Sequence, residues 1–286
     1  MAVVNEEQIR FSLQLLGIGP ADTIIAHGAL SSIGYVEGGA KTVIRLLLEL
    51  IGPEGTLVMP TLTGWSEPFD VDQSPSAVGI LSETLRTWPG AFRSKHPVHS
   101  VAAVGAQAEY ITAGHEDCKS GCGRGTPYEK IISLKGKILL IGVDMARNTM
   151  MHTIEAFAEL KNLLRVEAPA PTYIDDYENK KVIMEQFPPG HRNFMRITPE
   201  LKARGALQEG KIGAAVTKVI DAVALIEIGL EKLEENPLYF TCDSDSCITC
   251  EYARQLQKDA VDLSLFSDRG CGDLNCEICV PMLSVK

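Results

Sequence analysis

Apolar positions recur along this chain with two periods, and the alternation between them predicts an α/β fold. Ile9, Leu13 and Leu16 fall three and four residues apart, the spacing of one helix face, so a helix is expected over 6–16. Asn5, with Gln8 three residues on, supplies a capping box that opens it; Gly17 and Gly19-Pro20 close it. Thr23-Ile24-Ile25-Ala26-His27 is an apolar run of strand length. Gly38-Gly39 then precedes a helix over 40–51, and Gly55-Thr-Leu-Val-Met59 reads as the next strand. A helix over 78–88 and strands over 101–105 and 137–143 continue the pattern. Strands that are apolar throughout need cover on both faces, so the expectation is a mostly parallel central sheet flanked by helices. Further on, Thr172-Tyr-Ile174 and Val182-Ile-Met184 predict a hairpin, and 211–235 a long amphipathic helix.

Composition narrows the class. With 286 residues, 45% of them apolar, the chain is long enough for one large core, with or without a small appendage. No apolar stretch reaches the ~18–20 residues of a membrane span. Met1-Ala2-Val3-Val4-Asn5-Glu6-Glu7 lacks the basic start and apolar core of a secretion signal, so a cytoplasmic protein that makes no use of a membrane is expected. The 27 basic and 37 acidic residues leave a net charge of -10, which argues against a nucleic-acid partner and favours cationic small molecules.

The richest chemistry lies where the apolar run Ile138-Leu139-Leu140-Ile141-Gly142-Val143 gives way to Asn148-Thr-Met-Met-His152-Thr-Ile-Glu155. A strand ends there and a helix begins, the place where open α/β sheets present reactive side chains. His152 and Glu155 stand three residues apart and share one helix face, which makes them a candidate general base and its orienting carboxylate, or else a surface histidine beside an ordinary helix glutamate. Three stretches precede them: His27-Gly28-Ala29-Leu30-Ser31-Ser32-Ile33-Gly34, then Arg93-Ser94-Lys95-His96-Pro97-Val98-His99-Ser100, then Gly123-Arg124-Gly125-Thr126-Pro127. In this order the four segments resemble the aminoglycoside 3-N-acetyltransferase family, over about residues 5–235. Ala29 and Thr126 depart from that pattern, each standing where the family has serine; Thr126 keeps the hydroxyl.

The resemblance implies acetyl transfer from acetyl coenzyme A to an amine of an aminoglycoside or related amino sugar, directly and without an acyl-enzyme. The loop carrying His27, Leu30, Ser31 and Ser32 offers N–H and hydroxyl groups to the pantetheine arm or a phosphate, and Arg93, Ser94 and Lys95 offer charge to the phosphates. His96 and Ser100 belong to the same donor motif. Thr126 has two compatible roles, a hydrogen bond to the thioester carbonyl and a helix cap. Glu67, Asp70 and Asp72, with Asp175 and Asp176, are acidic groups suited to a polyamine acceptor; His191 is a weaker candidate. Cys118 and Cys122 pair with no base in sequence and are expected to be bystanders.

The last 46 residues change character. Cys242-x4-Cys247-x2-Cys250 and Cys271-x4-Cys276-x2-Cys279 repeat one spacing 29 residues apart and use six of the eight cysteines. Two Cys-x2-Cys pairs suit one tetrahedral ion, so zinc on Cys247, Cys250, Cys276 and Cys279 is expected, with Cys242 and Cys271 as alternates. An iron–sulfur cluster is the second option and disulfides the third. The expected division is an acetyltransferase α/β domain over 1–240 and a cysteine-rich segment over 241–286, a tail that ordinary members of the resembled family lack. The competing function is a metal-centred binding or redox module built on an acetyltransferase-like fold.

Overall fold

The structure, a computed structural model, describes residues 3–63, 69–118, 120–160, 164–166, 184–186, 192–244 and 247–257. Its first half runs β1 (Val3–Val4), α1 (Glu6–Leu15), β2 (Thr23–Gly28), α2 (Leu30–Ile33), β3 (Tyr35–Val36), α3 (Gly39–Ile51), β4 (Thr56–Pro60), α4 (Ile80–Arg86), β5 (Phe92–Arg93) and β6 (Val101–Gly105). It continues with α5 (Ala108–Thr112), α6 (Pro127–Ser133), β7 (Lys137–Ile141), α7 (Met150–Phe157), β8 (Leu164–Val166) and β9 (Met184–Gln186). After these come α8 (Thr198–Ala203), β10 (Leu207–Ile212), β11 (Ala215–Asp221), α9 (Ala222–Glu235) and α10 (Ile248–Gln257). The Asn5–Gln8 capping box opens α1 as expected, with both reciprocal hydrogen bonds formed.

Seven strands form the central sheet in the order β10-β11-β7-β2-β4-β6-β5. The α/β layering is as expected, but the sheet is mixed: β2 is parallel to β7 and β4, while the other four pairings are antiparallel. Apolar runs reported two-sided burial, which does not fix strand direction. Ile24, Ala26, Leu57, Leu139 and Ile141 point into a core shared with α1, α3 and α4. Ile25, Val58, Ile138 and Leu140 point into a second core shared with α6, α7 and α9.

The expected long helix over 211–235 is corrected. Leu207–Ile212 and Ala215–Asp221 form an antiparallel hairpin, and the helix starts only at Ala222, capped by Asp221 accepting from the Ala224 N–H at 3.0 Å. The stretch is apolar enough to fit either period; the β-branched Val216, Thr217, Val219 and Ile220 favour a strand, and Gly213 makes the turn with φ +56°. The hairpin expected at 172–184 lies outside the described residues except for Met184, which sits in β9, antiparallel to β8.

The parallel core fixes where a site can form. From β2 the chain crosses through α3 on one face to reach β4, and it enters β7 from α6 on the other face. The carboxyl ends of β2 and β7 therefore flank a switch point, the position at which open α/β sheets place their ligands. Among the described residues no helix is long and apolar enough to cross a membrane.

Candidate active site

β7 delivers its chain through a short 3-10 turn, Met145–Arg147, into α7, which starts beside the end of β2. The Thr149 N–H donates to His27 Nε2 at 3.1 Å, so the strand histidine anchors the start of α7. Burial lowers the His27 pKa to about 3, and its Nδ1 has no hydrogen-bond partner in the structure. His27 is therefore neutral and sealed in the interior.

One helical turn carries the predicted His152–Glu155 pair. His152 Nδ1 lies 2.9 Å from Glu155 Oε2, and Arg192 Nε donates to Glu155 Oε1 at 2.7 Å. The His152 side chain is 29% exposed, whereas Glu155 and Arg192 are 3% and 7% exposed, so the ring is reachable and its supports are not. Burial alone would raise the Glu155 pKa, but the Arg192 charge and the hydrogen bonds from His152 and Arg192 outweigh it and hold the carboxyl below its ordinary value. An ionised carboxylate only accepts, so Nδ1 of His152 must donate and, in the neutral ring, the lone pair sits on Nε2.

Three more histidines stand behind this pair. The His99 ring is 6.5 Å from the His152 ring, edge to face, and His99 Nδ1 lies 3.6 Å from Cys122 Sγ. His96 stacks on His115 at 4.6 Å, and His115 is held by Ser94 Oγ at 2.9 Å and the Gly121 carbonyl at 3.0 Å. Burial lowers His99 and His115 to about 3, and His96 well below its ordinary value. The cluster is thus uncharged. A Cβ at Gly121 would sit 2.4 Å from His99 Cδ2, so the 120–126 turn packs against His99 only because glycine stands there.

These contacts join the four sequence segments into one neighbourhood, and residues 25–234 match the family model described as aminoglycoside 3-N-acetyltransferase. The chain belongs to the aminoglycoside 3-N-acetyltransferase family. It is 29% identical over 268 residues to aminoglycoside N(3)-acetyltransferase VII of Streptomyces paromomycinus, with 81% of this chain and 92% of that one covered. It is 31% identical over 265 residues to an aminoglycoside N(3)-acetyltransferase III from a Salmonella species, again over 81% and 92%. Among solved structures it resembles a histidine mutant of aminoglycoside acetyltransferase AAC(3)-IVa in complex with a gentamicin, with TM-score 0.81, 28% identity and coverage of 89% and 98%. It also resembles AAC-IIIb in a binary complex with CoASH, with TM-score 0.75, 29% identity and coverage of 85% and 100%.

Within this acetyltransferase fold, most donor-motif residues are turned inward. Arg93 donates to the carbonyls of Thr61, Val71 and Ser74 and stacks 4.9 Å from the Phe69 ring, which ties Thr61 and residues 69–74 to β5. Ser94 also accepts from the Val101 N–H, and Ser100 donates to the Thr61 carbonyl. Thr126 stands at the N-cap of α6, yet its hydroxyl donates to the Gly123 carbonyl at 2.7 Å and closes the turn instead. Ser32 donates to the Ala29 carbonyl at 2.6 Å. Leu30 and Ser32 are half-buried, and of the ten donor-site candidates Ser31 and Lys95 are the exposed ones. Ser31 and Ser32 also line a cleft of about 670 Å³ with Gln8, Ser12 and Lys211.

For the acceptor, Asp70 Oδ1 accepts from the N–H groups of Asp72 and Gln73, so this half-buried carboxylate shapes its own loop. Glu67, Asp175, Asp176 and His191 lie outside the described residues. Sequence reasoning missed Arg192, the neighbour of His191, and Phe194, whose ring meets His152 edge to face at 5.4 Å. A single buried arginine beside a sequence-distant glutamate has no local pattern, although 192–194 directly follows the singled-out His191.

Beyond the family match, Cys242, Cys247 and Cys250 are buried with their sulfurs all within 4.8 Å of one another. They form a small cluster of their own, and the Cys242 N–H donates to Cys250 Sγ at 3.2 Å. Cys242 is thus gathered with Cys247 and Cys250, while Cys271, Cys276 and Cys279 lie outside the described residues.

Proposed function

We propose that the protein transfers the acetyl group of acetyl coenzyme A directly to an amine of an aminoglycoside or related amino sugar, with His152 as general base. The observation that carries this is the Arg192–Glu155–His152 array, which leaves a reachable imidazole with Nε2 as proton acceptor in a chain of this family. The amine nitrogen attacks the thioester carbonyl, Nε2 takes the N–H proton, the C–S bond breaks, and the coenzyme A sulfur leaves and receives the proton. Glu155 stabilises the imidazolium formed in between. Transfer without an acyl-enzyme is supported by Cys122, which lies beside His99: burial and the Glu155 charge push its thiol well above its ordinary value, so it supplies little thiolate. Cys118 is raised too, by burial first.

A donor complex and a gentamicin complex among the similar structures support both substrates, and the net charge of -10 suits a cationic acceptor. In this reading the exposed Ser31 and Lys95 meet the donor, and Arg93, Ser94, His96, Ser100, Thr126 and His27 support the surfaces behind them. Asp70 is the acceptor candidate within the described residues. Free-thiol release with acetyl coenzyme A and a panel of amines tests the reading. His152→Ala should lower turnover by at least ~100-fold, the scale of a lost general base, with donor affinity nearly unchanged. Lys95→Ala and Ser31→Ala should weaken donor binding instead. Near-normal turnover in the His152 variant would remove the base assignment.

The second part of the proposal is that Cys242, Cys247 and Cys250 bind zinc. Three buried sulfurs gathered within one ligand sphere, with an N–H donated to one of them, are the arrangement that supports it. The sequence offers Cys271, Cys276 and Cys279 for the remaining position. Metal analysis decides: one zinc per colourless chain fits, whereas iron with labile sulfide makes it a cluster.

A further inference from the structure

The cysteine cluster is built onto the wall of the active site rather than beside it. Phe240 lies two residues before Cys242, and its carbonyl accepts from the Asn193 N–H at 2.7 Å. Its ring packs edge to face on Phe194 at 5.4 Å, and Phe194 packs in the same way on His152 at 5.4 Å. The Tyr239 hydroxyl donates to the Arg196 carbonyl at 2.9 Å, while Arg196 donates to the Tyr239 carbonyl at 3.1 Å and to the Asp243 carboxylate. On the far side Arg254, from α10, donates to the carbonyls of Cys242 and Ser244 at 3.3 and 3.2 Å. The strap over 192–197 is therefore clasped by 239–243, and 239–243 is clasped by the cysteine turn and α10.

The strap carries the two groups that complete the catalytic pair. Arg192 supplies the charge that keeps buried Glu155 ionised, and Phe194 is a side wall of His152. Neither belongs to α7, so their position depends on whatever holds the strap. We infer that the cysteine centre is a lock for this wall: metal on Cys242, Cys247 and Cys250 fixes the 239–243 turn, the turn fixes the 192–197 strap, and the strap holds Glu155 and His152 in working register. This rests on the zinc reading above. The physical reason is that a short cysteine-rich turn has little apolar surface of its own, so metal binding supplies the energy that orders it. Arg192, Phe194 and Phe240 are positioning residues in this scheme.

The test uses the full chain. Zinc is quantified in the purified protein, removed with a chelator, and restored, with kcat, both KM values and the pH profile measured at each stage. Removal is expected to lower kcat about 10-fold or more, within the ~100-fold that a 1 Å misplacement costs, with donor KM nearly constant. The acid limb of kcat/KM should move to higher pH as Glu155 loses Arg192, and added zinc should restore both. Phe240→Ala, made without touching a cysteine, should keep its zinc and reproduce the lower kcat and displaced limb. Stoichiometric zinc whose removal leaves kcat and the pH profile unchanged overturns the lock and leaves the zinc site standing. A chain that neither contains nor takes up zinc overturns the site and the lock together. If the stripped protein precipitates, zinc-loaded Phe240→Ala decides, and wild-type kcat with a wild-type profile in that variant overturns the lock.

Discussion

Glu155 is a carboxylate almost without water, and Arg192 is what lets it remain one. Burial works against the charge, and the arginine at 2.7 Å works for it. Replacing Arg192 by Gln leaves the acid buried without its cation, so the Glu155 pKa should rise and the acid limb of kcat/KM should move to higher pH. Breaking a buried pair in this way typically costs about 3–5 kcal/mol of stability, which denaturant unfolding would read, and Arg192→Lys should recover part of both losses. An acid limb that stays in place while stability falls would make Arg192 a packing residue only. The neutral His99 beside His152 fits the same logic, because it brings no competing positive charge to the imidazolium.

Glycines decide two of the elements that frame the site. Gly213 turns the β10–β11 hairpin in the left-handed region, and a Cβ there would lie 2.3 Å from the Ile33 carbonyl oxygen. Gly213→Ala should therefore destabilise the fold by about 2–3 kcal/mol, combining left-handed strain with overpacking, and a thermal melt within error of the wild type would contradict the turn. Gly121→Ala, which drives a methyl into the His99 ring, should cost turnover more than stability, by about 10-fold in kcat if the ring moves a fraction of an ångström. Both elements show what sequence could and could not disclose. Helix α1 was legible because period and capping box agree in it, and α3 and strands β2, β4, β6 and β7 because each is an apolar run of the right length. The β10–β11 hairpin was not, since its apolar run satisfies both periods and only β-branching and Gly213 separate them. The His152–Glu155 pair was legible because both groups sit on one helical turn. Arg192 was not, because a contact spanning 37 residues leaves no local pattern. The inward-facing roles of Arg93 and Thr126 were also hidden, since a motif names residues without saying which way they point.

Across the whole molecule, buried histidines tie stability to pH. His27, His96 and His115 are uncharged in the folded chain because burial lowers them, His27 and His115 to about 3 from 6.5. The unfolded chain binds these protons once the pH falls below the unfolded value, so stability should drop as the pH goes from about 6.5 toward 3, by up to roughly 1.4 kcal/mol per pH unit for each histidine. Glu155 adds a loss at the acid end of this window, where its depressed folded pKa is finally crossed. Thermal melts at intervals from about pH 7 to 4 test this, and a Tm that stays flat down to about pH 5 would contradict it. The grip of 239–243 on 192–197 also has a consequence in time. Synthesis proceeds at ~5–20 residues per second, and His27, His99, Glu155 and Arg192 are all made before Phe240 and the cysteines that follow it. A nascent chain thus holds His152, Glu155 and Arg192 for several seconds before it holds Phe240 and Cys242, so on the lock proposed above full turnover comes only after the pair itself has been made.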